Sequence, residues 1–234
     1  MPAGVINVVP GYGHQAGAAL AAHPDINRMS FTGSPESREG GYTVDHSREH
    51  LKRFVETAKV YLEETQIGYG LDPETQMGPL VSEKQRRRVL GFLEDGEHAG
   101  VEAILRGGEV QVSGHQGFYV RPSLLAGKPD NRCAVEEIFE PVAYLMQFRD
   151  EDESLELVNR SNYGLANSVW TADLNRARRV AESMVAGNSW INAHNVFKHG
   201  IPYGGCNLSG LGGGVLGPDT FFDYLRQQSI VRPV

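Results

Sequence analysis

The stretch SVWTADLNRARRVAESMVAGNSWIN, residues 168–192, decides the fold class. Its two ends, Ser168 to Thr171 and Ser189 to Asn192, predict short strands, and the region between them predicts a helix from Asp173 to Val185. The apolar residues of this helix fall on one face, which is predicted to point inward: Leu174, Ala177, Val180, Ala181 and Met184. A strand, a helix and a strand in this order predict an α/β sheet that helices cover on both faces.

The same alternation is present at the start of the chain. Val5 to Val9 predicts a buried strand that stops at Pro10-Gly11, an alanine-rich helix follows from Gln15 to His23, and Asn27 to Phe31 predicts the next strand. A βαβ unit of this kind normally has parallel strands and a right-handed crossover. Ligands bind such sheets at the carboxyl ends of the strands.

The middle and the end of the chain continue this pattern. Ser82 and Gln85 predict a capping box for a helix through about Glu97, and Asp150 with Glu153 predicts the start of another helix. An amphipathic helix after Ser47 carries one apolar face: Leu51, Phe54, Val55, Ala58 and Leu62. The other predicted elements are strands over Val101 to Leu105, Phe118 to Pro122 and Pro141 to Phe148, a helix over Thr220 to Gln227, and an extended piece over Ser229 to Val234.

Composition excludes several classes of protein. The 234 residues include 22 Lys and Arg against 29 Asp and Glu, and no basic stripe with interleaved aromatics occurs, which argues against a nucleic-acid partner. The apolar runs are far shorter than the roughly 20 residues of a membrane helix, so no membrane association is expected. The first residues lack the basic and apolar segments of a secretory signal, so we expect a cytoplasmic protein.

Candidate ligand residues have both a functional and a plain structural interpretation. Gly11, Gly13 and Gly17 open a helix after a strand, where glycines admit a nucleotide phosphate or simply form a turn. His46 and His50 are spaced i, i+4, but no third ligand is evident, so we expect no metal site.

The two cysteines, Cys133 and Cys206, form no CxxC, so neither a disulfide framework nor a zinc site is suggested. Cys206 lies in a Gly-Gly-Cys-Asn turn, where backbone donors can activate a thiolate, yet no base lies near it in the sequence. The acidic segment from Glu136 to Pro141 precedes a strand, and it indicates either a ligand site or an acidic helix start.

Eight short strings in this order resemble the aldehyde dehydrogenase superfamily over nearly the whole chain. They are PAGVINVV with GYG (2–9, 11–13), HP (23–24), SFTGS (30–34), DPETQMGPL (72–80), EEIF (136–139), NYGLA (162–166), WIN (190–192) and PYGG (202–205). The resemblance implies an α/β, parallel-sheet catalytic domain with a remnant of the Rossmann-type cofactor domain. The implied domains are residues 1–36 (cofactor remnant), 37–217 (catalytic domain) and 218–234 (C-terminal helix and oligomerisation strand).

The resemblance also implies site residues, and with them NAD or NADP as cofactor. Gly33 and Ser34 would border the cofactor pyrophosphate, Glu137 would hydrogen-bond the nicotinamide ribose, and Phe139 would pack beside the nicotinamide ring. Phe197 and Tyr203 would line the aldehyde tunnel. A nicotinamide needs an apolar wall and a ribose needs a carboxylate acceptor, so these residue types suit the implied roles.

The chain departs from the family pattern where the chemistry would be. The stretches that carry the family's general-base glutamate and nucleophilic cysteine are missing between Ser34 and Ser37, and so is the N-terminal half with its phosphate-binding lysine and oxyanion-stabilising asparagine. Local changes add to this, because Glu140 replaces a glycine, Asn207 a lysine, and Gly213-Gly214 an Arg-Glu pair. We therefore expect no thiol-dependent aldehyde oxidation and weak or absent NAD binding.

Three hypotheses follow from these departures. The first is a truncated relative that acts by binding a small aldehyde-like ligand or by assembly, as a homo-oligomer or as a hetero-oligomer with a complete aldehyde dehydrogenase. The second is an active oxidoreductase, or an enzyme of altered chemistry, that works on an aldehyde-like substrate in the same cleft, and the third is a gene product without a selected role. An oligomer is expected because the truncation would expose sheet edges, to which residues 229–234 would add a strand.

Overall fold

The computed structural model describes residues 42–43, 48–210, 214–225 and 228–232. The chain divides into two units, one of residues 34–223 and the other of residues 1–33 with 224–234. The predicted βαβ unit of residues 5–31 lies outside the described residues, as do Gly33, Ser34 and His46. The larger unit contains every helix and strand described below.

Four helices of the described residues begin close to the predicted positions, whereas the helix Arg132–Val135 was not predicted and the helix predicted over Thr220 to Gln227 ends at Asp223. They are α1 (Arg48–Glu64), α2 (Glu83–His98), α3 (Arg132–Val135), α4 (Glu151–Asn159), α5 (Leu174–Ser183) and α6 (Asp219–Asp223). The strands are β1 (Tyr42–Thr43), β2 (Glu102–Leu105), β3 (Gly108–Glu109), β4 (Val120–Arg121), β5 (Ser123–Ala126), β6 (Val142–Leu145), β7 (Ala166–Val169) and β8 (Asn188–Ile191). A short 3-10 turn covers Asn207–Ser209.

The strands form a main sheet and two pairs. The main sheet has the order β1-β6-β5-β2, in which β1, β6 and β5 are parallel and β2 is an antiparallel edge strand. The strands β3 and β4 pair antiparallel, and β7 and β8 pair parallel. The prediction of an α/β fold with parallel strands is confirmed, and the antiparallel edge strand is an addition to it.

Two apolar clusters hold these elements together. The larger one packs α2 against β5 and β6, and it consists of Leu80, Val89, Phe92, Leu93, Val120, Leu125, Cys133, Ala134, Ile138, Tyr144 and Met146. The smaller one packs α5 against β7 through Val169, Ala177 and Val180. Leu174 is 67% exposed, so its predicted inward position is wrong. Leu174 is the first residue of α5, and helical side chains tilt toward the N-terminus of the helix, so this one extends beyond the part of the helix that packs on the sheet.

The predicted helix caps are formed, one of them only in part. The Asp150 carboxylate accepts from the backbone N–H of Glu153 at 2.9 Å, and the Ser82 hydroxyl accepts from the backbone N–H of Gln85 at 3.2 Å. The Gln85 side chain does not complete the capping box, because its amide nitrogen donates to the carbonyl oxygen of Ile138 at 3.4 Å. A long-range contact has replaced the predicted local one.

Candidate functional site

Four ring-bearing side chains gather beyond the carboxyl ends of β7 and β8: Trp190, His194, Phe197 and Tyr203, here called the aromatic cluster. Phe197 and Tyr203 meet edge to face with ring centroids 4.8 Å apart. Trp190 lies 6.0 Å from Phe197 and 6.3 Å from Tyr203. The two residues expected to line an aldehyde tunnel therefore lie together, and Trp190 adds a third wall.

Backbone contacts fix the position of the aromatic cluster. Tyr203 exchanges two backbone hydrogen bonds with Val215, each of 2.8 Å. The indole N–H of Trp190 donates to the carbonyl oxygen of Val196 at 3.0 Å, which holds the loop after β8 against the strand. Phe197 nevertheless remains 51% exposed, so the cluster is open on one side. Aromatic faces that are exposed on one side can accept a flat or apolar ligand.

Hydrogen bonds also join the loop after β8 to the segment that follows β7. The side chain of Asn192 accepts from the backbone N–H of Thr171 and donates to its carbonyl oxygen, both at 2.9 Å. Asn192 and Asn195 have φ values of 50° and 53°, a left-handed conformation that asparagine tolerates better than most residues. These two asparagines give the loop its tight course.

Ser168 and His194 form a polar pair within this site, which sequence reasoning missed. The Ser168 hydroxyl oxygen lies 2.8 Å from His194 Nδ1, and the imidazole ring stands edge on to Trp190 at 5.4 Å. Ser168 and Trp190 are direct partners in the register of β7 and β8. The signal in the sequence was a histidine two residues after a predicted strand end, at the sheet edge where ligands bind.

The acidic segment that carries Glu137 and Phe139 is held by α2. The Arg88 guanidinium donates to the carbonyl oxygens of Glu137 and Ile138, the second at 2.6 Å, and Gln85 binds the same Ile138 oxygen. Glu137 is only 2% exposed, whereas Phe139 is 46% exposed and has a φ of 61°. The arginine thus fixes two successive peptide groups immediately before the turn at Phe139.

The model of the aldehyde dehydrogenase family matches residues 1–41 and 42–230 of this chain. The chain belongs to the aldehyde dehydrogenase family. An aldehyde dehydrogenase of Enchytraeus buchholzi is 34% identical over 268 residues, covering 90% of this chain and 52% of that protein. Cytosolic aldehyde dehydrogenase 1 of Rattus norvegicus is 30% identical over 290 residues, covering all of this chain and 56% of that protein.

A solved structure of aldehyde dehydrogenase from Bacillus cereus in complex with NAD+ has a TM-score of 0.71 and 34% identity, and it matches over 77% of this chain and 37% of that one. The chain therefore spans about half the length of the curated relatives it matches. The alignment with the rat protein extends over 290 positions against 234 residues here, so within the aligned part alone roughly 56 positions of that relative have no counterpart in this chain.

Both thiols of this aldehyde dehydrogenase family chain are bonded to backbone carbonyl groups. Cys133 is 4% exposed, its Sγ donates to the carbonyl oxygen of Phe92 at 3.2 Å, and burial raises the pKa of its thiol. Cys206 is half-buried and its Sγ lies 3.4 Å from the carbonyl oxygen of Gly164. Burial thus favours the protonated form of the Cys133 thiol, which is the less nucleophilic one.

The implied dinucleotide cofactor fits the described part of its predicted site poorly. Each carboxylate oxygen of Glu137 exposes less than 1 Å², so a ribose hydroxyl reaches this group only after the side chain moves. Burial also raises the pKa of the neighbouring Glu140 carboxyl, against the opposing effects of Gln85 and Arg88. Of the two predicted cofactor residues that the structure describes, Glu137 is covered and Phe139 offers an accessible surface to a nicotinamide ring, whereas Gly33 and Ser34 lie outside the described residues.

Candidate membrane spans and candidate metal sites were sought among the described residues. No helix among them has both the length and the apolar character needed to cross a bilayer. The same residues contain no group of three His, Cys, Asp or Glu side chains able to hold a metal ion.

Proposed function

We propose that this chain is a binding member of the aldehyde dehydrogenase family that holds a small aldehyde-like ligand at the aromatic cluster and does not oxidise it. The observation that carries the proposal is the placement of the two thiols, each of which donates to a backbone carbonyl. Aldehyde oxidation in this family proceeds by covalent addition of a thiolate, and loss of the nucleophile lowers the rate by orders of magnitude.

Two further observations support this proposal. The sequence passes from Ser34 to Ser37 without the stretches that would carry the family's base and nucleophile, and within the aligned part roughly 56 positions of the rat relative have no counterpart here. The covered carboxylate of Glu137 supports weak or absent binding of NAD or NADP. The aromatic cluster, by contrast, retains the two residues expected to contact the aldehyde, and they lie 4.8 Å apart.

A calorimetric titration with phenylacetaldehyde, run beside an NAD+ and NADP+ reduction assay, tests the proposal. We expect measurable aldehyde binding that Phe197→Ala and Tyr203→Ala each weaken by about tenfold, because a lost aromatic contact costs roughly 1 kcal/mol or more. Phe221→Ala is the matched control, since Phe221 is an exposed aromatic residue outside the cluster. Cofactor reduction that depends on the aldehyde and disappears in Cys206→Ala would show that the chain is an oxidising enzyme instead.

We further propose that the chain assembles, either with itself or with a complete aldehyde dehydrogenase, in the cytoplasm. The terminal segment of residues 228–232 supports this, because Ile230 and Val231 are 86% and 88% exposed and β-branched residues favour strand pairing. Light scattering after size-exclusion chromatography tests the assembly at micromolar concentration. A monomer that is unchanged by deletion of residues 229–234 contradicts it.

A further inference from the structure

We infer that the aromatic cluster prefers aryl aldehydes that carry a hydroxyl group on the ring, and that His194 is the residue that recognises this hydroxyl. The inference rests on the proposed function, because it names the class of aldehyde that the cluster would hold. It concerns binding alone, so no covalent bond of the ligand is made or broken. The feature that carries it is an oriented imidazole next to aromatic faces.

The two ring nitrogens of His194 have different surroundings. Nδ1 lies 2.8 Å from the hydroxyl oxygen of Ser168, which projects from β7 on the same side of the sheet as Trp190. Nε2 lies on the other side of the imidazole ring and takes no part in that contact. Because His194 is exposed, a ligand can reach this second nitrogen.

The imidazole of His194 is oriented before any ligand arrives. The Trp190 ring stands at 68° to it with centroids 5.4 Å apart, and the indole N–H of Trp190 donates to the carbonyl oxygen of Val196. Two hydrogen bonds between Asn192 and Thr171 hold the start of the same loop against the segment after β7. A side chain that is already oriented loses less conformational entropy when it binds a ligand.

The same indole adjoins both the imidazole and the aromatic faces that would hold the ligand ring. The Trp190 ring centroid lies 6.0 Å from that of Phe197 and 6.3 Å from that of Tyr203. A ligand ring that packs on these faces therefore has a polar group beside it as well as apolar walls. A polar substituent on that ring binds well only if it finds a hydrogen-bond partner, which His194 provides.

A ring hydroxyl suits His194 better than other oxygen groups do. The Ser168 hydroxyl can donate to Nδ1 or accept from it, so the contact permits both tautomers of the neutral imidazole. Nε2 is a donor in one tautomer and an acceptor in the other. A ring hydroxyl both donates and accepts, so it pairs with either tautomer. A methoxy or aldehyde oxygen only accepts, so it pairs with one of them.

The test is calorimetric titration of the full chain with phenylacetaldehyde and with its p-hydroxy and p-methoxy derivatives. We expect the p-hydroxy compound to bind about fivefold more tightly than the other two, which is the effect of one net hydrogen bond. His194→Phe keeps an aromatic ring but has no ring nitrogen, so it should abolish this preference. His199→Phe is the matched control, because His199 is an exposed histidine of the same loop, and it should leave the preference unchanged.

The outcomes separate this inference from the proposed function. If none of these aldehydes binds, the proposed function fails and the inference with it, whereas equal affinities for all of them overturn the inference alone. A His194→Phe variant that weakens all of them by the same factor also overturns it, because the imidazole would then bind the aldehyde oxygen.

Circular dichroism shows whether each variant is folded. If His194→Phe does not fold, His194→Gln decides, because a glutamine amide can reach the position of Nε2 and both donates and accepts. Folded His194→Gln must bind the p-hydroxy compound more tightly than the p-methoxy compound, and the loss of that difference contradicts the inference.

Discussion

Replacement of Arg88 by methionine should destabilise the chain and loosen the segment of Glu137 and Phe139. The guanidinium makes two hydrogen bonds to successive carbonyl groups and lies 4.8 Å from the ring centroid of the fully buried Phe92. Hydrogen bonds to a charged group contribute about 1.5–3 kcal/mol, and a cation–π contact contributes about 0.5–2 kcal/mol. Gln85 continues to bind one of the two carbonyls, so we expect a net loss of about 3 kcal/mol.

The assay is urea unfolding followed by far-ultraviolet circular dichroism. With a denaturant slope of roughly 2–3 kcal/mol per molar, a loss of this size lowers the urea midpoint by about 1 M. Arg87→Met is the matched control, because Arg87 is the next residue of α2, its side chain is 77% exposed, and its surface ion pair with Glu83 is worth less than about 1 kcal/mol.

Lysine at position 88 keeps the charge but lacks the planar fork, so Arg88→Lys should recover less than half of the lost stability. Equal midpoints for Arg88→Met and Arg87→Met would refute the reasoning, because they would mean that the contacts with the segment contribute nothing beyond a surface charge.

Three further predictions concern local features. Asp150→Ala removes the cap of α4 and should cost about 1 kcal/mol, which thermal unfolding measures and Asp150→Ser should largely restore. The hydrogen bond from Arg179 lowers the pKa of Glu151 in the folded chain. This carboxylate therefore stabilises the fold at a pH above its unfolded pKa, and the stabilisation is lost as the pH falls through its folded pKa. Glu151→Gln should remove this contribution and make stability less dependent on pH on the acid side, which thermal unfolding at several pH values measures. Iodoacetamide should label Cys133 only after denaturation, as mass spectrometry will show, because burial protects its thiol and raises its pKa.

Local patterns predicted the elements of the fold well, and α5 shows why. Its apolar spacing placed Ala177 and Val180 inward, and both are buried against β7. The prediction failed at Leu174 because this residue begins the helix, and apolar spacing does not show whether the sheet extends far enough to cover the first residue. Apolar periodicity predicts which face of a helix is buried. The position of the helix end in the tertiary structure then determines which residues of that face are covered.

Long-range polar contacts were beyond such reasoning. Gln85 matched a capping box, yet its side chain instead binds Ile138, which is 53 residues away. Ser168 and His194 are 26 residues apart and carry no shared motif, so only the parallel register of β7 and β8 brings them together. The resemblance placed Phe197 and Tyr203 in one site, but it gave no indication that a hydroxyl and an imidazole share that site.

The proposed aldehyde binding at the aromatic cluster depends on aromatic faces and not on the neighbouring hydroxyl of Ser168. Phe197 contacts Tyr203 but takes no part in the hydrogen bond between Ser168 and His194, so Phe197→Ala should weaken aldehyde binding and leave that bond in place. Ser168→Ala removes only the hydroxyl and should leave aldehyde binding within about twofold, since no aromatic face is lost. If Ser168→Ala instead abolished aldehyde binding, the ligand would depend on the hydroxyl, and the aromatic walls would not be its main site of contact.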